Sequence, residues 1–216
     1  MSYITPDCAK LALKRMTSFH DELTDLYHTH DMDLLRDLGR RNILMSRSQE
    51  KYFADELAKS YVGTHSDGRT GQPDILIPAL GRELECKLTS KHKSGAWSFQ
   101  SDFETLSAKG ELDYLYVLAD EDFKGFAVLH FEGLTIDDFR PLSNGARGKV
   151  AMYKHRGMKK CNVLVGNVVD LNRINLNKLS RKLEDAENLS SKSRILKSID
   201  YWENTPIKYQ IQLENV

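Results

Sequence analysis

The stretch Pro73-Asp74-Ile75-Leu76-Ile77-Pro78-Ala79-Leu80-Gly81-Arg82-Glu83-Leu84-Glu85-Cys86-Lys87-Leu88 decides how this chain is read. An apolar run is broken by Pro78 and Gly81 and then resumes with strict alternation, the pattern of two short strands joined by a tight turn. Successive side chains of a strand point to opposite faces. Leu84, Cys86 and Leu88 therefore share one face, and Glu83, Glu85 and Lys87 the other. A two-residue turn at Ala79-Leu80 sets Asp74 across from Glu85, and one at Leu80-Gly81 sets it across from Lys87. Either register puts Asp74 on the charged face, with cross-strand Cβ atoms roughly 5 Å apart. A three-residue turn reverses the parity and would expose Ile75 and Ile77, so it is rejected.

Two carboxylates close together across a hairpin destabilise a sheet. A divalent cation removes the conflict. Oxygen ligands from Asp74 and Glu85, with the carbonyl of Cys86 and several waters, suit Mg²⁺, which keeps part of its hydration shell. Such an ion lowers the pKa of a bound water and neutralises charge developing on a phosphate. Lys87 would orient or help deprotonate the attacking water, or stabilise the phosphorus centre.

Pro73-Asp74, a gap of ten residues, then Glu85-Cys86-Lys87 resembles the motif of the PD-(D/E)XK nuclease superfamily, and within it the type II restriction endonucleases. The resemblance makes Asp74 and Glu85 the metal ligands and Lys87 the catalytic lysine. It also implies an acidic residue on the helix before the hairpin, for which Glu50 is the best match and Glu56 a weaker one. The competing reading of Glu50 is a solvated first-turn carboxylate favoured by the helix dipole.

The wider sequence sets the frame. At 216 residues the chain is expected to form a single domain over 1–216, with 31 acidic and 31 basic residues in balance. No global charge marks a nucleic-acid partner, so any DNA surface must come from local clustering. Cys8, Cys86 and Cys161 support neither a disulfide framework nor a zinc site, which points to a reducing cytoplasm. No signal pattern or membrane span is read. His20, His28 and His30 match no metal-ligand spacing.

Residues 1–45 read as an N-terminal helical region, with Asp7 capping the first helix. The catalytic core is expected over 46–131. A helix starting at Ser46 or Ser48 carries Glu50, Phe53 and Leu57 on one stripe. A first strand is expected over Tyr61 to Thr64, and Arg69 in the following loop is placed to reach a phosphate. After the hairpin come a helix over Phe99 to Ala108 and strands over Asp113 to Leu118 and Gly125 to Phe131. This order matches the αβββαβ core of the resembled family, a mixed central sheet flanked by helices. Gln100 falls near that family's polar position on the helix after the lysine.

Residues 132–216 supply a basic segment and C-terminal helices. Arg140, Arg147, Lys149, Lys154, Arg156, Lys159 and Lys160 fall together with no acidic residue between Arg140 and Lys160. That clustering points to DNA backbone contact, with arginines able to take guanine edges. Lys91 and Lys93, in a basic stretch just after the hairpin, are placed to join them, the competing reading being a plain solvated loop. Cys161 to Val169 reads as a buried strand, and helices follow from Asn175.

The resemblance implies a Mg²⁺-dependent endonuclease that cuts double-stranded DNA at a short sequence. It also implies a homodimer, a companion DNA methyltransferase, and a bacterial or archaeal cytoplasm. A resolvase, repair nuclease or exonuclease would carry the same metal site. A DNA-binding protein without catalysis is disfavoured because Asp74, Glu85 and Lys87 are all present.

Overall fold

The computed structural model describes residues 2–67, 69, 72–90, 97–143 and 148–216. The helices are α1 (Pro6–His28), α2 (Leu38–Ala58), α3 (Phe103–Lys109), α4 (Lys154–Gly157), α5 (Leu171–Glu184) and α6 (Leu189–Asn204). The strands are β1 (Ile75–Ile77), β2 (Arg82–Ser90), β3 (Gln100–Asp102), β4 (Glu111–Ala119), β5 (Gly125–Thr135), β6 (Lys149–Ala151), β7 (Cys161–Val165), β8 (Asn167–Asp170), β9 (Tyr209–Gln212) and β10 (Glu214–Asn215). The chain divides into two compact units. One comprises residues 1–167 with Leu213–Val216; the other is Val168–Gln212, built from α5, α6 and the paired β8 and β9.

The first unit is mixed α/β around a mixed sheet in the order β1-β2-β4-β5-β10, with β7 also on β5. Among the described residues, only β2 and β4 pair in parallel, and the chain between them makes the return crossover through β3 and α3. The hairpin register pairs Ile75 with Leu84, Leu76 with Glu83 and Ile77 with Arg82. Continued by one residue, it sets Asp74 opposite Glu85, the first of the two expected registers. Pro78–Leu80 form a 3₁₀ turn closed by Gly81 at φ 60°, a left-handed conformation that costs glycine little.

One sheet face packs on α1 and α2. Ile75, Ile77, Leu84, Cys86, Leu115 and Val117 meet Leu13, Met16, Met45, Phe53 and Leu57 in one continuous core. On α1 the buried Ala9, Ala12, Leu13, Met16 and His20 follow the helical period. The opposite face is aromatic: Phe99 packs edge-on against Tyr116 and Phe131, and Tyr114 lies beside Phe139. The small β3–β6 pair carries this layer.

Several expected boundaries move for local reasons. The helix before the hairpin begins at Leu38, because the Asp37 carboxylate caps it by accepting from the Arg40 amide. The first helix is capped by Thr5 with Pro6 at its first position, not by Asp7. Tyr61 to Gly63 form a turn, with Gly63 at φ 86°, in place of the expected strand. Among the described residues, a single bridge, His65 with Leu76, extends the sheet there. The expected helix over Phe99 to Ala108 is split into β3 and α3, since Asp102 caps a new helix by accepting from the Thr105 amide. Among the described residues, no helix is long and apolar enough to cross a membrane.

Candidate active site

The hairpin and α2 bring the predicted residues to one place. Glu50, Asp74 and Glu85 line a common cleft of about 490 Å³, together with Arg47, Arg69, Gln72, Glu83, Thr105 and Lys109. Lys87 stands beside it on the charged face of β2, its ammonium donating to the Glu85 carboxylate. Asp74 accepts a 2.8 Å hydrogen bond from the Cys86 amide, which fixes its carboxylate at the mouth of the hairpin. The Cys86 side chain is buried against the helices, where the strand's alternation sends it.

Glu50 is 8% exposed and lies in the middle of α2, well past the first turn. The solvated first-turn reading therefore has no physical basis here. Its carboxylate is paired with the Arg47 guanidinium one turn earlier. Glu56 is also buried, but it is held by Arg15 and Lys59 and does not line the cleft.

Electrostatics ties the group together. Burial, followed by the charge of Glu85, pushes the Asp74 carboxyl up to about 6, against the opposing pull of Lys87. Burial raises Glu50 as well; Arg47 counters it and Glu85 reinforces it. Burial would lower the Lys87 ammonium, but Glu85 and Asp74 outweigh burial and hold it above its ordinary value. Lys87 is therefore a protonated cation, suited to stabilising anionic phosphate rather than taking a proton.

Among the described residues, no three His, Cys, Asp or Glu side chains are disposed to hold a metal ion, since Glu50 is turned to Arg47 and Glu85 to Lys87. The donor chemistry nevertheless fits Mg²⁺. Hard carboxylate oxygens converge on one cleft, and a cation there would reverse the like-charge conflict that raises Asp74 and Glu50. Binding requires that the Arg47 and Lys87 pairs loosen.

Other expected positions fare differently. Lys91, Lys93 and Arg147 lie outside the described residues. Lys149 is exposed at the start of β6, opposite Asp102. Lys160 donates to the Gly133 carbonyl at 2.6 Å and to Asp138 at 2.8 Å, so its charge is already matched within the fold. Lys159 is exposed. Lys154 lies over the Phe99 ring, and Arg156 over Tyr153. Gln100 belongs to β3 and does not line the cleft; α3 presents Thr105 and Lys109 instead. Arg69 lines the cleft and is paired with Asp67.

Arg47, Gln72, Thr105 and Lys109 are cleft residues that sequence reading did not single out. The signal for Arg47 was present, an arginine three residues before Glu50 on the same helix. Thr105 and Lys109 could not be placed without the cap at Asp102, which fixes where α3 begins. No family model, curated protein or solved structure matches this chain.

Proposed function

We propose that this chain is a Mg²⁺-dependent endonuclease that hydrolyses double-stranded DNA at a short specific sequence, on a restriction-endonuclease-like αβββαβ core. The observation that carries the reading is the shared cleft: Glu50, Asp74 and Glu85 open onto one space, with Lys87 protonated beside them. The parallel β2–β4 pair with α3 between them agrees with such a core, while its expected first strand is reduced here to the His65–Leu76 bridge. In this reading the chain works as a homodimer alongside a companion methyltransferase.

Asp74 and Glu85, joined by Glu50, would hold the ion, with the Cys86 carbonyl as a further oxygen. Bound there, Mg²⁺ supplies charge neutralisation and a lowered pKa for water. Lys87 sets its ammonium against the non-bridging oxygens of the scissile phosphate, where negative charge grows. Water attacks phosphorus in line, the bond from phosphorus to O3′ breaks, and a proton passes to O3′. The products are a 5′-phosphate and a 3′-hydroxyl.

The test is to incubate the purified chain with long unmodified duplex DNA and Mg²⁺, beside an EDTA control and the Lys87→Ala variant, and to sequence the ends. Discrete fragments sharing an end sequence, absent from both controls, are expected. Smearing or degradation from the ends would replace this reading with an exonuclease or repair nuclease of the same fold. Absence of metal-dependent cleavage on duplex and branched DNA alike would sink the nuclease reading.

A further inference from the structure

Outside the cleft, the strongest unexplained feature is a group of crowded cations in the basic segment. The Arg140 guanidinium lies 5.9 Å from the centre of the Tyr153 ring and that of Arg156 lies 5.0 Å from it. The Lys154 ammonium stands 5.9 Å from the Phe99 ring. None of these three cations forms an ion pair with a carboxylate among the described residues. Lys160, a few residues on, is by contrast matched by Asp138. Burial and the charge of Arg140 together depress the Lys154 ammonium below its ordinary value, so Arg140 and Lys154 repel each other in the free protein.

The backbone holds this crowd in place. The Arg140 amide donates to the Ala151 carbonyl and the Tyr153 amide to the Asp138 carbonyl, both at 2.8 Å. Arg156 also donates to the Asp137 carbonyl at 2.6 Å. Contact with a ring uses none of a guanidinium's N–H groups, so apart from the one that Arg156 gives to Asp137 the fork that can receive a phosphate bidentately is not spent on Tyr153. The patch is continuous with the cleft through the fold: β6, just before Tyr153, pairs with β3, which leads into α3 and its cleft residues Thr105 and Lys109.

We propose that Arg140, Lys154 and Arg156, arrayed on Tyr153 and Phe99, form a clamp for successive backbone phosphates of duplex DNA, with Tyr153 as the residue that positions both arginines. This rests on the proposed DNA substrate and adds to it a phosphate-binding surface and its support. The two rings keep the cations from collapsing onto carboxylates elsewhere. Phosphate contacts of this kind fix the register of the duplex over the cleft without reading its sequence.

The test is binding of a fluorescent duplex by the full chain, by anisotropy, in EDTA from 50 to 200 mM salt, on two duplexes of unrelated sequence. Each neutralised phosphate contributes about 0.9 to the slope of log affinity against log salt, so the Arg140→Ala/Arg156→Ala variant should lose about 1.8. Over this fourfold change in salt, the unsubstituted chain should weaken about twelve-fold more than that variant, equally on both duplexes. Tyr153→Ala should lose affinity, while Tyr153→Phe, which keeps the ring, should bind like the unsubstituted chain. Far-UV circular dichroism verifies that each variant is folded, and Arg140→Lys/Arg156→Lys, which keeps the charge, should retain the slope.

An unchanged slope in the double alanine variant would overturn the clamp while leaving the nuclease reading intact. Equal losses in Tyr153→Phe and Tyr153→Ala would overturn the positioning role of the ring. Absence of duplex binding by the unsubstituted chain would overturn the clamp and the DNA substrate together.

Discussion

Asp74→Asn is expected to make the protein more stable while abolishing cleavage. The carboxyl is moved from 3.8 to about 6 in the folded chain, first by burial and then by Glu85. At about 1.36 kcal/mol per pH unit, that displacement corresponds to about 3 kcal/mol of destabilisation once Asp74 is ionised. The sign follows from linkage. Below pH 3.8 the group is protonated in both folded and unfolded chains, and nothing is lost; stability then falls as pH rises through 6, because the folded state must give up a proton it holds tightly. Asparagine keeps an oxygen to accept from the Cys86 amide but carries no charge. In EDTA at pH 8 the variant should therefore melt higher than the unsubstituted chain, by about 6–12 °C at roughly 2–4 °C per kcal/mol. The gap should close as the pH is lowered from 6 to 4. Saturating Mg²⁺ should stabilise the unsubstituted chain at pH 8 by about 2.7 kcal/mol at a hundred times its dissociation constant, raising its melting point, and leave the variant unmoved. The reasoning is refuted if the variant is less stable at pH 8 in EDTA, or if the gap does not depend on pH.

Other consequences are open to direct measurement. Arg41 is fully buried and donates to the Asp120 carbonyl at 3.0 Å, to the Glu121 carbonyl and to Ser90 at 2.6 Å, so Arg41→Ala should cost about 3–5 kcal/mol in a urea titration. Deleting Ala79 alone shortens the four-residue hairpin loop to three and reverses its parity; with Ile75 and Ile77 each contributing about 1.5–3 kcal/mol by burial, the chain should fail to fold, whereas deleting Ala79 and Leu80 together should restore a folded protein by circular dichroism. Lys160→Ala removes the cation matched to buried Asp138 and should lower stability by about 1–3 kcal/mol, yet leave the salt slope of DNA binding as it was.

The hairpin was legible because period-2 alternation and parity are properties of the chain itself. Once Ile75, Ile77, Leu84 and Cys86 had to share a buried face, the face of Asp74, Glu85 and Lys87 followed. Between two registers of the same parity, the loop geometry at Pro78 to Gly81 decided, and sequence could not. The stripe of Glu50, Phe53 and Leu57 was equally readable, but the helix start was not, since both Asp37 and the serines at 46 and 48 are capping residue types. The strand expected over Tyr61 to Thr64 failed because Gly63 adopts a positive φ and turns the chain. The basic segment was read as uncompensated from its local composition. In space, Asp138 reaches back from just outside that window to take Lys160, and Arg140, Lys154 and Arg156 lie against aromatic rings instead. Such pairings depend on β3, a three-residue strand whose pairing partner, β6, begins 49 positions beyond its own start.

The cost of the charged face and the stability of the apolar face are two results of a single register. Phe53, Ile75, Ile77 and Leu84 are all fully buried in the core behind the hairpin. At about 1.5–3 kcal/mol each, these four side chains outweigh the roughly 3 kcal/mol lost in holding Asp74 beside Glu85. The like charges are therefore tolerated without a ligand. They cannot relax by sliding the strands, since a slip of one residue would expose Ile75 and Ile77. Nor can Glu50 withdraw independently, because it lies on the same stripe of α2 that seats Phe53 and Leu57. The core thus holds three carboxylates at one cleft against their mutual repulsion, with Glu50 turned to Arg47 and Glu85 to Lys87, so a cation entering there would have to displace both pairs.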